Sequence, residues 1–338
     1  MAKRLTIATD CSGIETPAIV LKQMGVDFRS LWVSEVCEHA LSFIRNNCEP
    51  EQIYRDLTTR DIAETSAECP DLYLSGFPCQ YASGLNMKRN PNDERRNIYE
   101  YVVQVIRTTR PKIFVLENVR SLLTVDKGRL WHDISQCLDD LKEYYWDHTV
   151  LDPCRHANCP QSRPRWYCVG LRKDLGVRNV PWPPEVALTH GCLSLIDEDI
   201  TEGRKVAPCY WRMLEQWGIP RDTLAVVEPN GAGRSYHMYG KDKRKQLTEA
   251  QKAGIARTHI ATCMVSKDPL PFVPKLERHL TVREMLRLQG FVPESVRVPS
   301  GLTIPQVGAK LGNAMNAAVL RELLSLLVPL LGVDLHSC

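Results

Sequence analysis

Short apolar runs alternate with amphipathic segments through the first half of the chain, and three of those runs end on a chemically useful group. Residues 4–9 read as a strand and are followed by Cys11-Ser12-Gly13. Residues 71–74 form another run, which leads through Ser75, Gly76, Phe77 and Pro78 to Cys79. The strongly apolar residues 113–116 are followed by Glu117-Asn118. Between and beyond them, residues 17–24, 38–46, 98–109 and 130–141 carry apolar side chains at helical spacing, and residues 28–33 and 165–171 read as further strands. Strand and helix in alternation with short connections predict a doubly wound α/β domain. In such sheets a ligand binds outside the carboxyl ends of the strands, where the three groups stand.

The pattern loosens from about Gly176. Prolines cluster at 181, 183 and 184, and a glycine-rich turn falls at 230–233. A second, smaller and less regular domain of roughly 100 residues is expected there. Regularity returns at 281–288, a helix opened by a threonine cap, and ends with a helix over about 315–331. The expected boundaries are 1–174 for the first domain, 175–275 for the smaller domain, and 276–338 for a segment that returns to complete the first.

Composition narrows the possibilities less than the pattern does. The 338 residues are 43% hydrophobic and 25% charged, which allows a sizeable core. No apolar run approaches the roughly 20 residues needed to span a bilayer, and the start MAKRLTIATD is too soon polar for a signal peptide, so an intracellular protein is expected. Thirteen cysteines without a secretory signal read as reduced thiols. Cys154, His156 and Cys159 do not follow the usual zinc spacing, and no metal is expected. The net charge of +3 leaves nucleic acid open as a partner, because basic residues are local: Lys88, Arg89, Arg95 and Arg96 after the cysteine turn, and a later run at 241–245.

Five blocks occur in a telling order: PCQ at 78–80, ENV at 117–119, QSRPR at 161–165, REMLRLQGF at 283–291 and LGNAM at 311–315. Together they resemble the cytosine-5 DNA methyltransferase family, over nearly the whole chain except about 175–255. The resemblance implies a Rossmann-like, S-adenosylmethionine-dependent methyltransferase domain with a mixed sheet, and a smaller target-recognition domain. It also implies a reaction that the residues suit. Cytosine carbon 5 is a poor nucleophile, and a thiolate adding to carbon 6 activates it. Cys79 suits that attack, and by resemblance Glu117 assists at ring nitrogen 3. Arg163 and Arg165, two apart around Pro164, are expected to face one side of an extended strand, one holding the base carbonyl or Glu117 and the other pairing with phosphate, and the resemblance implies that Arg165 is nearer the base.

The resemblance further implies a site for S-adenosylmethionine and none for a metal. Ser12, Gly13 and Ile14 lie in the first turn, Glu35 would accept from the ribose hydroxyls, and Asp56-Leu57 corresponds to the adenine-contacting pair. Pro78 and Ile98 would add apolar contacts, and Asn313-Ala314 would close the pocket. The chain departs from the family at several of these places. Cys11 stands for the usual phenylalanine, Glu15-Thr16 for the usual Gly-Gly, Val36 for an aromatic after the ribose acid, and Lys310 for a glutamine. A glutamate at 15 would repel the donor's carboxylate unless turned away.

Duplex DNA is the implied partner of a monomeric enzyme, with the target base flipped out. Gln80, Ser83, Lys88, Arg89, Arg95 and Arg96 are available for phosphates, and Leu85 could enter the vacated stack. Arg234, Tyr236, His237, Lys241, Lys243 and Arg244 would serve recognition in the smaller domain. The main competing reading is the related tRNA cytosine-5 methyltransferase, whose Cys-Phe-Thr tripeptide is absent here. A binding-only regulator would lack the nucleophile or the ENV glutamate, and a dehydrogenase would carry GxGxxG in its first turn. The expected roles are a restriction–modification, viral or phage enzyme or a nuclear one, in the cytoplasm if bacterial or phage-borne and the nucleus if eukaryotic.

Overall fold

The computed structural model of the chain describes residues 4–63, 68–79, 81–82, 94–200, 203–227, 256–264 and 270–335. In chain order the elements are β1 (Leu5–Asp10), α1 (Thr16–Gln23), β2 (Phe28–Ser34), α2 (Glu38–Asn47), β3 (Gln52–Tyr54), β4 (Leu72–Ser75), α3 (Ile98–Thr109), β5 (Ile113–Val119), α4 (Arg129–Asp139) and β6 (Tyr144–Leu151). There follow α5 (Pro153–His156), β7 (Gln161–Ser162), β8 (Arg165–Arg172), α6 (Pro208–Trp217), β9 (Val226–Val227), β10 (Ala256–Arg257), β11 (Ala261–Thr262), β12 (Phe272–Val273) and β13 (Arg278–His279). The last helices are α7 (Val282–Leu288), α8 (Ile304–Asn313) and α9 (Ala317–Leu327).

Two compact units emerge: residues 1–152, 164–184 and 319–338, and residues 153–163 with 185–318. The first holds a seven-stranded sheet in the order β3-β2-β1-β4-β5-β8-β6. All its neighbouring pairs are parallel except those of β8, which runs antiparallel to both β5 and β6. Strand order reverses direction between β1 and β4, which is the crevice where such folds take their ligand. The central strands read as continuous apolar runs because both faces are covered, and β1 is buried throughout. Helix α3 shows why it lies where it does. Tyr99, Val102, Val103, Val105, Ile106 and Thr109 form one buried stripe, and the helix stops on a left-handed Arg110 before Pro111.

Close packing also sets the antiparallel pair. Phe114 of β5 faces Gly170 of β8, and a Cβ on Gly170 would lie 2.0 Å from the Phe114 ring. Glycine lets the ring fold flat across the neighbouring backbone. Because β8 continues beside it, β5 runs on through Glu117 and Asn118 to Val119, three residues beyond the apolar run that marks it in the sequence.

The second unit has a four-stranded sheet, β10-β9-β12-β13, over a small core of Val206, Leu214, Trp217, Ile219, Val227 and Phe272. Thr281 caps α7 in a reciprocal capping box with Glu284, as its sequence predicts. Residues 276–318 group with this unit. The reason is local. Arg278 and Glu284, both wholly buried, pair at 2.8 and 2.9 Å, and Asp197 N–H donates to the same carboxylate. The stretch 304–331 is apolar and long enough by composition to cross a membrane, which the sequence reading did not anticipate. Its most apolar window is 67% buried inside the protein.

Candidate active site

The catalytic candidates of the first unit stand at the carboxyl ends of β4 and β5 and the start of β8. Cys79 is half-buried, in irregular backbone four residues past β4. The approach to it is held from β5: Asn118 Nδ2 donates to the Phe77 carbonyl at 3.1 Å, and the Phe77 ring is buried edge-on to Trp166. Glu117, almost buried, lies with Oε1 3.4 Å from Arg165 Nε. Arg165 also donates from Nη1 to the Pro164 carbonyl at 3.1 Å. A guanidinium held on two sides at a strand's start is a fixed donor, suited to a planar carboxyl or carbonyl group.

Arg163 does something else. It lies between β7 and β8, so the expected common strand face with Arg165 does not form. Its side chain is buried in the second unit. Nη1 donates to the Met264 carbonyl at 3.2 Å, and Nη2 to the carbonyls of Gly312 and Ala314 at 3.0 and 2.8 Å. The guanidinium thus satisfies carbonyls on either side of Asn313, where α8 ends and has no backbone donors left to give. Pro164 separates the two arginines sharply enough that one serves each unit.

The first turn is built on hydrogen bonds. Ser12 N–H donates to the Ser34 carbonyl at 3.0 Å, and Ser34 N–H donates to Ser12 Oγ at 3.1 Å. Gly13 N–H and Cys37 N–H each donate to one oxygen of Glu35, both at 2.8 Å, so the acid bridges the turn after β1 and the segment before α2. Gly13 has a φ of 58° and open space where a Cβ would stand. Cys11, with φ 53°, has its thiol pushed well up by burial and by the Asp10 and Glu35 carboxylates, so it is inert as a nucleophile. Ile14 and Leu57 put their side chains into the core, and Ile98 packs partly against it. Val36, in contrast, is an apolar side chain left 66% exposed beside Glu35. Asp56 turns its Oδ1 onto Thr58 N and Oγ1, both at 2.8 Å.

One feature had no counterpart in the sequence reading, and a second answers a question that reading raised. Asp10, at the end of β1, is wholly buried and accepts both Nη atoms of Arg60 at 2.9 Å and the Tyr73 hydroxyl at 2.8 Å. The Arg60 guanidinium lies 4.8 Å from the Tyr54 ring centre and 5.6 Å from that of Trp32. This ties the turn carrying Asp56-Leu57 to the strand ends, and an acid ending an apolar strand was its one sequence signal. Glu15 is the second. It is wholly buried, left-handed at φ 63°, and accepts from Thr9 Oγ1 at 2.7 Å. Burial pushes its carboxyl up to about 8.

Of the residues expected to meet nucleic acid, Arg95 is exposed, and Arg96 stacks over the Tyr81 ring at 5.5 Å and approaches Asp133 at 3.5 Å. Tyr81 in turn donates to Asp126 at 2.5 Å, and Ser121 Oγ to the Ala82 carbonyl at 2.7 Å. Gln80, Ser83, Leu85, Lys88, Arg89, Arg234, Tyr236, His237, Lys241, Lys243 and Arg244 lie outside the described residues. Among the described residues no cluster of three metal-ligating side chains occurs.

A model of the family described as C-5 cytosine-specific DNA methylase matches residues 8–328. The Type II methyltransferase M1.ScrFI of Lactococcus lactis subsp. cremoris is 29% identical over 85% of this chain and 69% of its own length. M.DsaV of Dactylococcopsis salina is 26% identical over 95% of this chain and 85% of its own. Among solved structures, a DNMT2 mutant of Spodoptera frugiperda superposes with a TM-score of 0.65 at 19% identity, covering 96% of this chain and 99% of its own, which speaks for the fold. S. pombe Dnmt2 gives 0.63 at 18%, over 97% and 99%.

Proposed function

This chain belongs to the C-5 cytosine-specific DNA methylase family, and from that premise we propose that it methylates carbon 5 of a cytosine flipped out of duplex DNA, with Cys79 as covalent nucleophile. The observation that carries the reading is the Glu117–Arg165 pair at 3.4 Å, with Glu117 on the strand next to β4, whose end leads to Cys79 through a loop pinned by Asn118. Cys79 Sγ attacks carbon 6 of the flipped ring. Glu117 gives a proton to ring nitrogen 3, which takes up the electron pair entering the ring, and recovers that proton when the ring is restored. Arg165 orients the Glu117 carboxyl and offers a donor to the base carbonyl. Carbon 5 is then the nucleophile and takes the methyl group. Loss of its proton to solvent expels the Cys79 thiolate and restores the aromatic ring.

The residues of the first turn fit S-adenosylmethionine, which when bound supplies an electrophilic methyl group. Val36 leaves an apolar face bare where an adenine ring would need cover, and Glu35 stands beside it for the ribose hydroxyls. Asn313 and Ala314 are assigned to the donor by the family resemblance alone. Arg163 acts by holding the carbonyls around them, as a positioning residue. Residues 175–275 read as the target-recognition domain on the same grounds.

The test is covalent trapping. Duplex DNA carrying 5-fluorocytosine, incubated with the full chain and labelled S-adenosylmethionine, should give an adduct that survives denaturation and is absent from Cys79→Ala. Similarly substituted tRNA serves in parallel. Trapping on tRNA alone would replace the DNA reading, and no adduct on either would refute the covalent mechanism.

A further inference from the structure

We propose that Glu15 is a positioning residue of the methyl-donor site whose carboxyl works as a neutral acid, so that its ionisation loosens the first turn and weakens donor binding. The inference rests on reading that turn as the donor site, and it turns on the one place where an acid replaces the small residue expected there.

Geometry carries it first. Glu15 sits immediately before α1 in a left-handed conformation that a side chain adopts at some strain, and its side chain points inward, with none of its surface exposed. Oε2 lies 2.7 Å from Thr9 Oγ1, and Thr9 Oγ1 lies 2.7 Å from Ser12 Oγ. Ser12 Oγ in turn reaches the Thr9 and Ser34 carbonyls at 3.2 and 3.3 Å. A hydroxyl relay therefore joins Glu15 to the ends of β1 and β2, at the turn that Glu35 holds from the other side. Oε1 is buried and has no hydrogen-bond partner among the described residues.

Burial gives the direction. The relay can be satisfied in either state: with Glu15 ionised, Ser12 donates to Thr9 and Thr9 to Oε2, and with a proton on Oε2 the chain can run outward to a strand-end carbonyl. The neutral form keeps a full charge out of a site with none of its surface exposed. The neutral form also avoids an unpaired charge at the buried Oε1.

The surrounding charges point the same way. Asp10 of β1 and Glu35 past β2 both raise the Glu15 carboxyl, although Arg60 already pairs Asp10. The Cys48 thiol past α2 is itself pushed up by burial and by Glu15. Lys22, on α1, is turned to the Asn47 carbonyl. An ionised Glu15 would face these groups and the carboxylate of the donor together. A neutral one would not.

The experiment is titration calorimetry of the full chain with S-adenosylhomocysteine from about pH 6 to about pH 9.5, for the wild type, Glu15→Gln and Glu15→Gly. The ligand's own amino group titrates in all three, so differences between the curves isolate residue 15. Glutamine copies the neutral acid, and glycine suits the left-handed backbone should glutamine fail to fold. The wild-type Kd should rise by roughly tenfold or more relative to either variant between the ends of the range. Parallel curves for all three would overturn the inference while leaving the donor site intact. Absence of binding by the wild type at every pH would instead remove the donor reading, and this inference with it.

Discussion

Glu117 and Arg165 meet diagonally across the antiparallel β5–β8 ladder, in which Val119 faces Arg165 and Glu117 faces Tyr167, with Oε1 and Nε 3.4 Å apart. Side chains two residues apart on a strand share a face, so the diagonal brings the acid and the guanidinium to one end of the sheet. Removing either partner should slow methyl transfer and leave the fold intact. We expect Glu117→Gln to lower single-turnover methylation of duplex DNA by about 10²–10⁴-fold. Arg165→Lys should not restore the rate, because an ammonium lacks the planar fork. Quench-flow rates with radiolabelled donor decide the matter, and a Lys variant at wild-type speed would contradict the assignment.

Arg163 should behave differently from Arg165. Its side chain serves buried carbonyls at Met264, Gly312 and Ala314, and on truncation the Met264 carbonyl keeps the Cys263 thiol as a donor. Arg163→Met should destabilise the chain by about 2 kcal/mol or more, at roughly 1 kcal/mol or more for each acceptor that loses its donor around Asn313. Urea unfolding midpoints measure this. A variant that unfolds like the wild type but fails to methylate would place Arg163 in the chemistry instead.

The Asp10–Arg60 pair is dry on both sides, so breaking it by half should hurt more than removing a surface pair. Arg60→Met leaves the Asp10 carboxylate buried with Tyr73 as its remaining partner described here, at an expected cost of about 3–5 kcal/mol. Tyr73→Phe should cost about 1–2 kcal/mol. If the double variant Asp10→Leu with Arg60→Met is more stable than Arg60→Met alone, the lost charge balance is the cause, which thermal or chemical denaturation would reveal.

Gly170 offers a purely steric test. Alanine there must displace the Phe114 ring, whose atoms lie 2.0–2.6 Å from the added carbon. Gly170→Ala should destabilise by about 1–3 kcal/mol, and Phe114→Leu in the same chain should recover part of the loss.

Stability of the ligand-free chain should depend on pH through Glu15. Its carboxyl is raised from an ordinary 4.5 to about 8 by burial. The folded state therefore holds a proton that the unfolded chain has released, and stability falls as pH rises. The wild type's stability relative to Glu15→Gln should be highest below about pH 4.5, decline upward from there, and level off above about pH 8. Melting temperatures of the two proteins across that range test the sign. A wild type that gains on the variant with rising pH would refute it.

Much of the first unit was legible because its signals are local. Period-3.6 stripes such as that of α3 and apolar runs such as β1 report burial directly, and they align with the helices and strands found. Strand β6 escaped, since YYWDHTVL mixes polar and apolar residues as an edge strand does. The polar tail of β5 escaped too, because its partner β8 lies some fifty residues away and only pairing reveals that the ladder continues.

Taken alone, the order of residues determined the alternating α/β pattern, the presentation of Cys79 past a strand and the family to which its blocks belong, all of which are carried by neighbours in the chain. Tertiary structure decided which arginine stands beside Glu117, where Arg60 finds its acid fifty residues back, and that Glu15 is buried among other acids and hydroxyls. Those outcomes depend on desolvation and on partners distant in sequence, and electrostatic energy is set by separation and surroundings in space, which the linear order does not contain.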